Sequence, residues 1–313
     1  MQTICETSYD GWNAKILLQQ ACHYPPAADT VTGVENASEP LPADFVSVQA
    51  HYDLSDEFFA LFLDPSMTYS CARFDTAETD LSAAQRSKID LSLGKCELRP
   101  GHRLLDIGCG WGAAALRARE QYGVQVIGLT LSRNQHAYCQ ALAAGKDGLE
   151  FRLEGWETFQ QKVDRIVSIG AFEHFGRSRY GTFFDRCLSL LPNDGVMLLH
   201  TITLGRPSKS FSFLRFAHFL SREIFPGGDV PSPELVVESA RAAGFELVHA
   251  ESLRPHYART LDCWAERLQA NRAQAVKVAG EATFKTYMKY LSGCANLFRT
   301  GECNLYQFKL HVA

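Results

Sequence analysis

Short apolar runs alternate with longer amphipathic segments through the middle of this chain. The runs have strand length, and they lie at 103–107 (RLLDI), 124–130, 149–153, 163–168 and 195–203. Segments of helical period separate them at 111–121, 132–144 and 179–190. Strands that alternate with helices form parallel βαβ units. With a helix and strand over 234–253, helical residues over 259–290 and a last strand at 304–312, the pattern predicts an α/β fold with a doubly wound, mostly parallel seven-stranded sheet.

Two stretches depart from this alternation. Residues 1–43 are rich in Pro, Ala, Asp and Glu and predict a partly flexible N-terminal arm, whereas 44–313 predict a single domain. Within that domain, residues 205–231 interrupt the pattern with a helical face of large apolar side chains, namely Phe213, Phe216, Leu220 and Ile224. Such a face fits an ordinary core helix as well as an insertion that covers a substrate.

Composition and charge exclude several classes of function. In 313 residues, 46% hydrophobic side chains are ample for a core, and a net charge of −4 offers no basic surface for nucleic acid and at most a peripheral contact with membranes. Ten cysteines without a CxxC pair predict reduced thiols and no metal site. The chain has no apolar run of about 20 residues, and its first residues lack the basic and apolar regions of a signal peptide. We therefore expect a cytoplasmic protein.

The strand RLLDI runs directly into three closely spaced glycines, Gly108, Gly110 and Gly112. Glycine is needed where a strand turns at once into a helix and a ligand approaches the backbone closely. Asp106 lies near the end of the strand, so we expect its carboxylate in the crevice at the carboxyl ends of the strands. The stretch predicts a nucleotide-type site, and it also satisfies the loose fingerprint of NAD-binding enzymes.

Two details favour S-adenosylmethionine over NAD at this site. The next strand carries Thr130 at the place where a nicotinamide enzyme needs an acid for the ribose hydroxyls. In addition, Asp106 just before Gly-Cys-Gly resembles motif I of the S-adenosylmethionine-dependent methyltransferases, which have no pyrophosphate to bind. We therefore expect the methyl donor as the cofactor.

Polar side chains follow or close several of the predicted apolar strands. Glu173 follows the fourth strand, His200 closes a nearly all-apolar run, and the segment LRPHYARTL supplies Tyr257 near the end of another strand. Each alone fits a structural role, as a satisfied core histidine or a helix cap. Together, a buried carboxylate, an imidazole and a phenol can bind a small oxyanion or relay a proton.

A series of segments carries a more specific signal. In chain order they are HYDLSDEFFALFLDPSMTYSCARF, LLDIGCGWGA, GLTLSRNQ, EGWETF, DRIVSIGAFEHFG, HTIT, IFPGG, HYARTLDCW and YMKYLSGCANLFRTG. They resemble the cyclopropane fatty acid synthases, and most of all the branch of mycolic acid methyltransferases and cyclopropane synthases. The resemblance covers residues 45–313 and is specific, because other methyltransferases share only the glycine motif.

The resemblance implies roles for individual residues. The positions that match the family's S-adenosylmethionine site are Tyr69, Ser70, Gly108, Gly110, Thr130, Gln135, Trp156 and Glu157. The positions that match its cradle for a bicarbonate ion acting as base are Cys71, through its backbone, Glu173, His200 and Tyr257. The implied reaction is methyl transfer to an alkene, whose carbocation then loses a proton and closes to a cyclopropane. Other fates of the cation give methyl-branched or hydroxylated products.

Departures from the family's pattern leave the substrate open. The N-terminal arm is longer than expected, the segment 203–224 is shorter, and Asp229 follows IFPGG where a large apolar residue is expected. We expect an unsaturated acyl chain or another alkene, free or bound to a carrier protein, and shorter than a mycolate. A C- or N-methyltransferase of small molecules is the alternative, and a lipid-binding protein that kept the fold is the non-enzyme alternative. The Phe-rich stretch 211–225 favours the first reading.

Overall fold

Seven strands form one sheet at the centre of the computed structural model, which describes residues 55–206, 210–225 and 228–313. They are β1 (Arg103–Ile107), β2 (Gln125–Thr130), β3 (Leu149–Leu153), β4 (Arg165–Ile169), β5 (Val196–Leu204), β6 (Phe245–Ser252) and β7 (Cys303–Val312). Their order is β3-β2-β1-β4-β5-β7-β6. β7 runs antiparallel to both of its neighbours, while the other neighbouring pairs are parallel. The predicted doubly wound, mostly parallel sheet is confirmed.

The strand order reverses at β1, which pairs with β2 on one side and with β4 on the other. In open α/β sheets, ligands bind at such a switch point, beyond the carboxyl ends of the strands. The register aligns Asp106 with Val167 of β4, and β4 in turn aligns Ile169 with His200 of β5. The end of β1, the residues after β4 and His200 therefore lie along the same edge of the sheet.

Helices cover both faces of the sheet. They are α1 (Asp56–Ala60), α2 (Leu81–Lys95), α3 (Ala113–Tyr122), α4 (Arg133–Ala143), α5 (Tyr180–Leu190), α6 (Phe211–Phe219), α7 (Pro233–Ala243), α8 (Arg254–Ala270) and α9 (Arg272–Thr300). Side chains alternate between the faces along a strand. On β1, Leu104 packs in a cluster with residues of α2 and α3, whereas Leu105 packs with residues of α5 and α7.

A third apolar cluster joins α1, α8 and α9, and it is strongly aromatic. Phe58 and Phe62 of α1 and the turn after it contact Tyr287 of α9 with ring centroids 4.9 Å and 6.1 Å apart. Phe62 also meets Trp264 of α8 at 6.2 Å. Tyr257 belongs to the same cluster, and Tyr69 packs against it. Fully buried rings of this kind exclude water from whatever lies beside them.

The helical segments differ from the predicted ones at two places. The helices predicted over 259–290 are longer, because α8 and α9 together run from Arg254 to Thr300. Within 205–231 the chain forms α6 and a π-helical turn (Leu220–Ile224), in which Ile224 is 2% exposed while Phe211 at the start of α6 is 75% exposed. Phe216 and Leu220 are half-buried against the aromatic cluster. The arm predicted for 1–43 lies outside the described residues.

Three further properties hold for the described part of the chain. None of its helices is both long enough and apolar enough to cross a membrane. It contains no group of three or more His, Cys, Asp or Glu side chains that could hold a metal ion. Its cysteines are free thiols, and most of them are buried.

Candidate active site

A cleft of about 1090 Å³, counted out to open solvent, opens beside the carboxyl ends of β1, β2 and β4. Nine of the ten residues predicted to bind the cofactor line it, and they are Tyr69, Ser70, Asp106, Gly108, Gly110, Thr130, Gln135, Trp156 and Glu157. Gly112 does not line the cleft. A Cβ on Gly112 would meet Leu142 and Phe151 at 3.0 Å, so this glycine allows the start of α3 to pack closely on its neighbours.

The two predicted glycines that line the cleft, Gly108 and Gly110, are needed for different physical reasons. Gly108 has φ +79°, and a Cβ there would lie 2.4 Å from the Cβ of Ala171, so the turn after β1 requires its absence. Gly110 has φ +55°, and a Cβ there would meet no protein atom within 4 Å. Since Gly110 lines the cleft, the space beside it is space for a ligand.

A buried acid and a buried lysine face each other at the base of the cleft. Asp106 is 2% exposed, and burial raises its pKa to about 7 although the nearby Lys88 ammonium opposes the shift. Burial lowers the pKa of Lys88 to about 8, and its Nζ donates to Ser70 Oγ at 2.8 Å. Asp106 Oδ2 has no hydrogen-bond partner among the described residues. It is therefore an acceptor that a bound molecule can use.

Lys88 lines the cleft but was not among the predicted site residues. The signal was present, because Gln85, Lys88 and Ser92 follow one another at helical spacing and all three are buried on the inner face of α2. Polar residues at such spacing on a buried face need partners within the protein. A lysine there indicates buried acids nearby, and the two carboxyls that act on Lys88 are Asp64 and Asp106.

The cleft is also lined by a second buried acid, Glu157, and by one side chain each of β2 and α4. Thr130 Oγ1 donates to Gln135 Oε1 at 2.8 Å, which fixes both side chains. Glu157 is 5% exposed and forms an ion pair with Arg179, whose guanidinium lies 5.1 Å from the ring centre of Trp156. Arg179 also lines the cleft, and the sequence reasoning did not find it. A flat aromatic ring beside an acid suits a nucleobase, because the ring can stack on it and the acid can accept from its amino group.

Behind the cleft, Glu173 and His200 are buried side chains with one atom each left unpartnered. Glu173 lies in the short 3₁₀ turn Phe172–His174 after β4, and its Oε1 accepts from the Ile202 N–H at 2.5 Å. Burial raises the pKa of Glu173 to about 7. Burial also lowers the pKa of His200 well below its ordinary value, and Lys88 and Lys95 add to this. By hydrogen-bond geometry, Glu173 Oε2 and His200 Nε2 have no partner among the described residues, although the nearby Thr201 hydroxyl partly opposes the rise in the pKa of Glu173.

Tyr257 and Cys71 complete the predicted set. Tyr257 was expected near the end of a strand, but it lies in the first turn of α8, because β6 ends at Ser252 and Pro255 favours a helix start. Burial raises the pKa of Tyr257 well above its ordinary value, and the neighbouring Tyr69, Cys71 and Glu173 raise it further. The Cys71 thiol donates to the Ala72 carbonyl at 3.1 Å. Tyr257, Cys71 and Glu173 are thus neighbours.

His200 was expected to close its strand, but it is the fifth of nine residues in β5. It remains close to the others, because Ile202, two residues further along β5, donates to Glu173. None of these four predicted catalytic residues lines the cleft, whereas His174 does. Glu173, Tyr257 and Cys71 are therefore buried neighbours outside the lining of the cleft, and His200 is linked to them through the strand that carries Ile202.

Comparison with known proteins identifies the family to which the chain belongs. Residues 41–308 match the family described as mycolic acid cyclopropane synthetase. The chain belongs to this family. Cyclopropane mycolic acid synthase 1 of Mycobacterium tuberculosis is 54% identical over 279 residues, which cover 86% of this chain and 97% of that protein. Cyclopropane mycolic acid synthase MmaA2 of the same species is 53% identical over 281 residues, 86% of this chain and 98% of that protein.

Solved structures agree with the membership in the mycolic acid cyclopropane synthetase family. The cyclopropane synthase MmaA2 from Mycobacterium tuberculosis superimposes with a TM-score of 0.86 at 51% identity, covering 87% of this chain and 100% of that one. The mycolic acid cyclopropane synthase CmaA1, complexed with SAH and CTAB, gives a TM-score of 0.85 at 52% identity, with the same coverage. The predicted resemblance is confirmed. The chain is an enzyme, an S-adenosylmethionine-dependent methyltransferase.

Proposed function

We propose that this enzyme transfers the methyl group of S-adenosylmethionine to a carbon–carbon double bond of an unsaturated acyl chain and closes a cyclopropane, with bicarbonate as the base. The observation that carries the proposal is that two buried atoms, Glu173 Oε2 and His200 Nε2, have no hydrogen-bond partner among the described residues, and that Glu173 neighbours Tyr257. Unpartnered polar atoms are rare in protein interiors and cost about 1–3 kcal/mol each. A small ligand with both a hydroxyl and acceptor oxygens explains them.

The cleft residues suit the methyl donor. S-adenosylmethionine supplies an electrophilic methyl group when it is bound. Asp106 offers a free carboxylate oxygen at the base of the cleft, and Trp156 with Glu157 offers a ring and an acid for the adenine. Gly110 leaves the backbone open to the ligand's edge. Lys88 opposes the rise in the pKa of the buried Asp106, so that this carboxyl is ionised above about pH 7.

The second group of residues suits the base. Bicarbonate supplies a proton acceptor when it is bound. A neutral Glu173 or its carboxylate can share a proton with it, the Tyr257 hydroxyl can donate to it, and the backbone at Cys71 lies among the same neighbours. Two adjacent anions repel strongly in a dry interior. Because its pKa is raised, Glu173 can stay protonated and neutral near pH 7, and a neutral Glu173 does not repel an anion bound beside it.

A dry pocket is the remaining requirement of this reaction. Attack by the alkene π electrons on the methyl carbon breaks the carbon–sulfur bond and leaves a carbocation in the substrate. The cation closes to a cyclopropane only if a proton leaves the new methyl group before water adds. The aromatic cluster of α1, α8 and α9 contains both Tyr257 and Cys71 and excludes water from that side.

The substrate we propose is an unsaturated acyl chain, free or bound to a carrier protein. The curated relatives are named for mycolic acid, and the solved CmaA1 complex contains CTAB, an ammonium with one long alkyl chain. In this chain, Phe216, Phe219 and Leu220 pack from the α6 segment onto the aromatic cluster and supply apolar lining. Because the sequence leads us to expect a shorter segment over 203–224 than in the family, we propose an acyl chain shorter than a mycolate.

Turnover with and without carbonate tests the base. We expect that stripping carbonate from the buffer slows the wild-type enzyme, and that Glu173→Gln slows turnover by roughly 10²–10⁴-fold while it keeps donor affinity. Carbonate depletion should then add little to the loss in that variant. Glu150→Gln, on an exposed side chain, is the control and should behave as wild type. Product is read as cyclopropanated acyl chain by mass spectrometry.

Wild-type turnover that does not respond to carbonate would refute the bicarbonate base. Methyl-branched product without cyclopropane would refute ring closure and leave methyl transfer. Mass spectrometry of lipids from cells with and without the gene identifies the acyl chain and the position of its double bond.

A further inference from the structure

A buried chain of polar side chains connects His200 to helix α2. Lys95 Nζ donates to Gln307 Oε1 at 2.7 Å and also forms an ion pair with Glu251. Gln307 Nε2 lies 2.9 Å from Ser92 Oγ and 3.2 Å from His200 Nδ1. Gln307 and His200 are both 0% exposed. The contacts join α2, β5, β6 and β7, and none of them involves the cleft.

Each proton in this chain has a determined place. An ammonium group only donates, so Lys95 requires the oxygen of the Gln307 amide on its side and directs the NH₂ group towards Ser92 and His200. The Ser92 hydroxyl donates to the Lys88 carbonyl at 2.8 Å, so it accepts from Gln307. The second N–H of Gln307 then points to His200 Nδ1, which must accept. A neutral imidazole that accepts at Nδ1 carries its proton on Nε2.

We propose that Gln307, oriented by Lys95, fixes His200 as the neutral tautomer with its proton on Nε2, which makes His200 a hydrogen-bond donor in the reaction and excludes it as the base. The assignment to the reaction rests on the proposed function, in which His200 belongs to the bicarbonate site. Gln307 and Lys95 are positioning residues, because they act through His200.

The charges around His200 act in the same direction. Lys88 and Lys95 face it from α2, and both disfavour a second proton on the ring. Glu251 of β6 is engaged by Lys95. Two residues further along β5, the Ile202 N–H donates to Glu173, whose pKa is raised by burial to about 7. A neutral ring with a single, fixed proton is therefore the stable state near pH 7.

This tautomer gives a reason for the unpartnered Nε2 atom of His200. A buried N–H without an acceptor costs free energy. That cost is removed when an oxyanion binds and accepts the hydrogen bond. It holds a small anion in place without competing for its proton. The proton removed from the substrate must then go to the anion itself or to a group other than His200.

Nitrogen NMR of the full-length enzyme tests the tautomer directly. Histidines are labelled with ¹⁵N, and the His200 signals among the ten histidines are assigned by their loss in His200→Gln. Long-range ¹H–¹⁵N correlations separate protonated from unprotonated ring nitrogens. In carbonate-free buffer without substrate, we expect a protonated Nε2 and an unprotonated Nδ1 from pH 6 to pH 9.

Gln307→Glu is the decisive variant. The introduced carboxylate cannot donate, so it accepts from Nδ1–H and moves the proton from Nε2 or adds a second one. We expect turnover to fall by roughly 100-fold or more, while the affinity for SAH stays unchanged because Gln307 does not line the cleft. Gln161→Glu is the matched control, since Gln161 Oε1 accepts from Arg152 far from His200. Lys95→Met, which frees the amide to rotate, should populate both tautomers.

Three results would overturn the proposal. The first is a wild-type His200 that is charged or carries its proton on Nδ1. The second is a Gln307→Glu variant that changes the tautomer of His200 and keeps full turnover. The third is a Lys95→Met variant whose His200 spectrum is unchanged. If Gln307→Glu does not fold, the wild-type and Lys95→Met spectra decide. Carbonate-independent turnover with the expected tautomer refutes the bicarbonate base alone and supports the fixed tautomer.

Discussion

The buried carboxyl of Glu173 makes a prediction about stability as well as activity. Its side chain is 8% exposed, and burial raises its pKa from 4.5 to about 7. In the unfolded chain the same carboxyl ionises near pH 4.5. Because the native protein holds the proton more tightly, Glu173 stabilises the fold fully below pH 4.5, and this contribution is lost as the pH rises towards 7.

The magnitude follows from the two pKa values. A difference of one pH unit between the folded and unfolded pKa corresponds to about 1.4 kcal/mol, so the difference for Glu173 amounts to about 3 kcal/mol at pH 8. Glu173→Gln removes the ionisation but keeps an oxygen that can accept from the Ile202 N–H. We therefore expect the variant to be more stable than wild type by about 3 kcal/mol at pH 8 and by nearly nothing at pH 4.

Urea unfolding from pH 4 to pH 8 in carbonate-free buffer measures this difference. Asp106, whose pKa is also raised to about 7, contributes equally to both proteins and cancels. Glu150→Gln, on a side chain that is 54% exposed, should stay within about 0.5 kcal/mol of wild type throughout. Parallel pH profiles for wild type and Glu173→Gln would show that the buried carboxyl is not held neutral. A gain in stability together with a loss of turnover is the signature of a functional group.

Two further predictions concern the cleft and the α6 segment. Gly110→Val should weaken SAH binding by roughly 10–100-fold in calorimetry. The control is Gly123→Val, at a glycine with similar φ and equally open space but outside the cleft, which should share the backbone strain and keep the affinity. Equal SAH affinities of the two variants would show that Gly110 does not face the donor. Phe216→Asp should weaken binding of the acyl substrate far more than binding of SAH, and Phe211→Asp, at a side chain that is 75% exposed, should do so much less. Equal losses for both ligands would identify α6 as an ordinary core helix.

Local patterns predicted the sheet and most of the cleft. An apolar run such as 103–107 is buried on both faces, so it predicts a central strand, and β1 occupies the same residues. Glycines and an acid at the end of that strand predicted Gly108, Gly110 and Asp106 in the cleft. In these cases the structural cause is short-range, because the turn and the ligand contact depend on residues within a few positions.

Partners that are distant in the chain were not predictable in the same way. Lys95 and Gln307 are 212 residues apart, and nothing in the sequence around Gln307 distinguishes it from any polar residue of a strand. Tyr257 was placed at a strand end because its segment follows an apolar stretch, whereas the local Pro255 starts a helix there. Such contacts depend on the order of strands across the sheet, which adjacent residues do not encode.

Under the proposed function, burial also limits the reactivity of the predicted catalytic side chains. A sulfonium methyl group and a carbocation react with any strong nucleophile nearby, and thiolate, phenolate, carboxylate and a free imidazole nitrogen all qualify. Burial raises the pKa of Cys71 and of Tyr257, so the thiol and the phenol keep their protons. It brings the pKa of Glu173 to about 7, and the contact with Gln307 places the proton of His200 on the otherwise unpartnered Nε2. Cys71 and Tyr257 therefore keep their protons throughout the neutral range, whereas Glu173 loses its proton as the pH rises through about 7. Under the proposed function, a bound anion rather than one of these side chains takes up the proton.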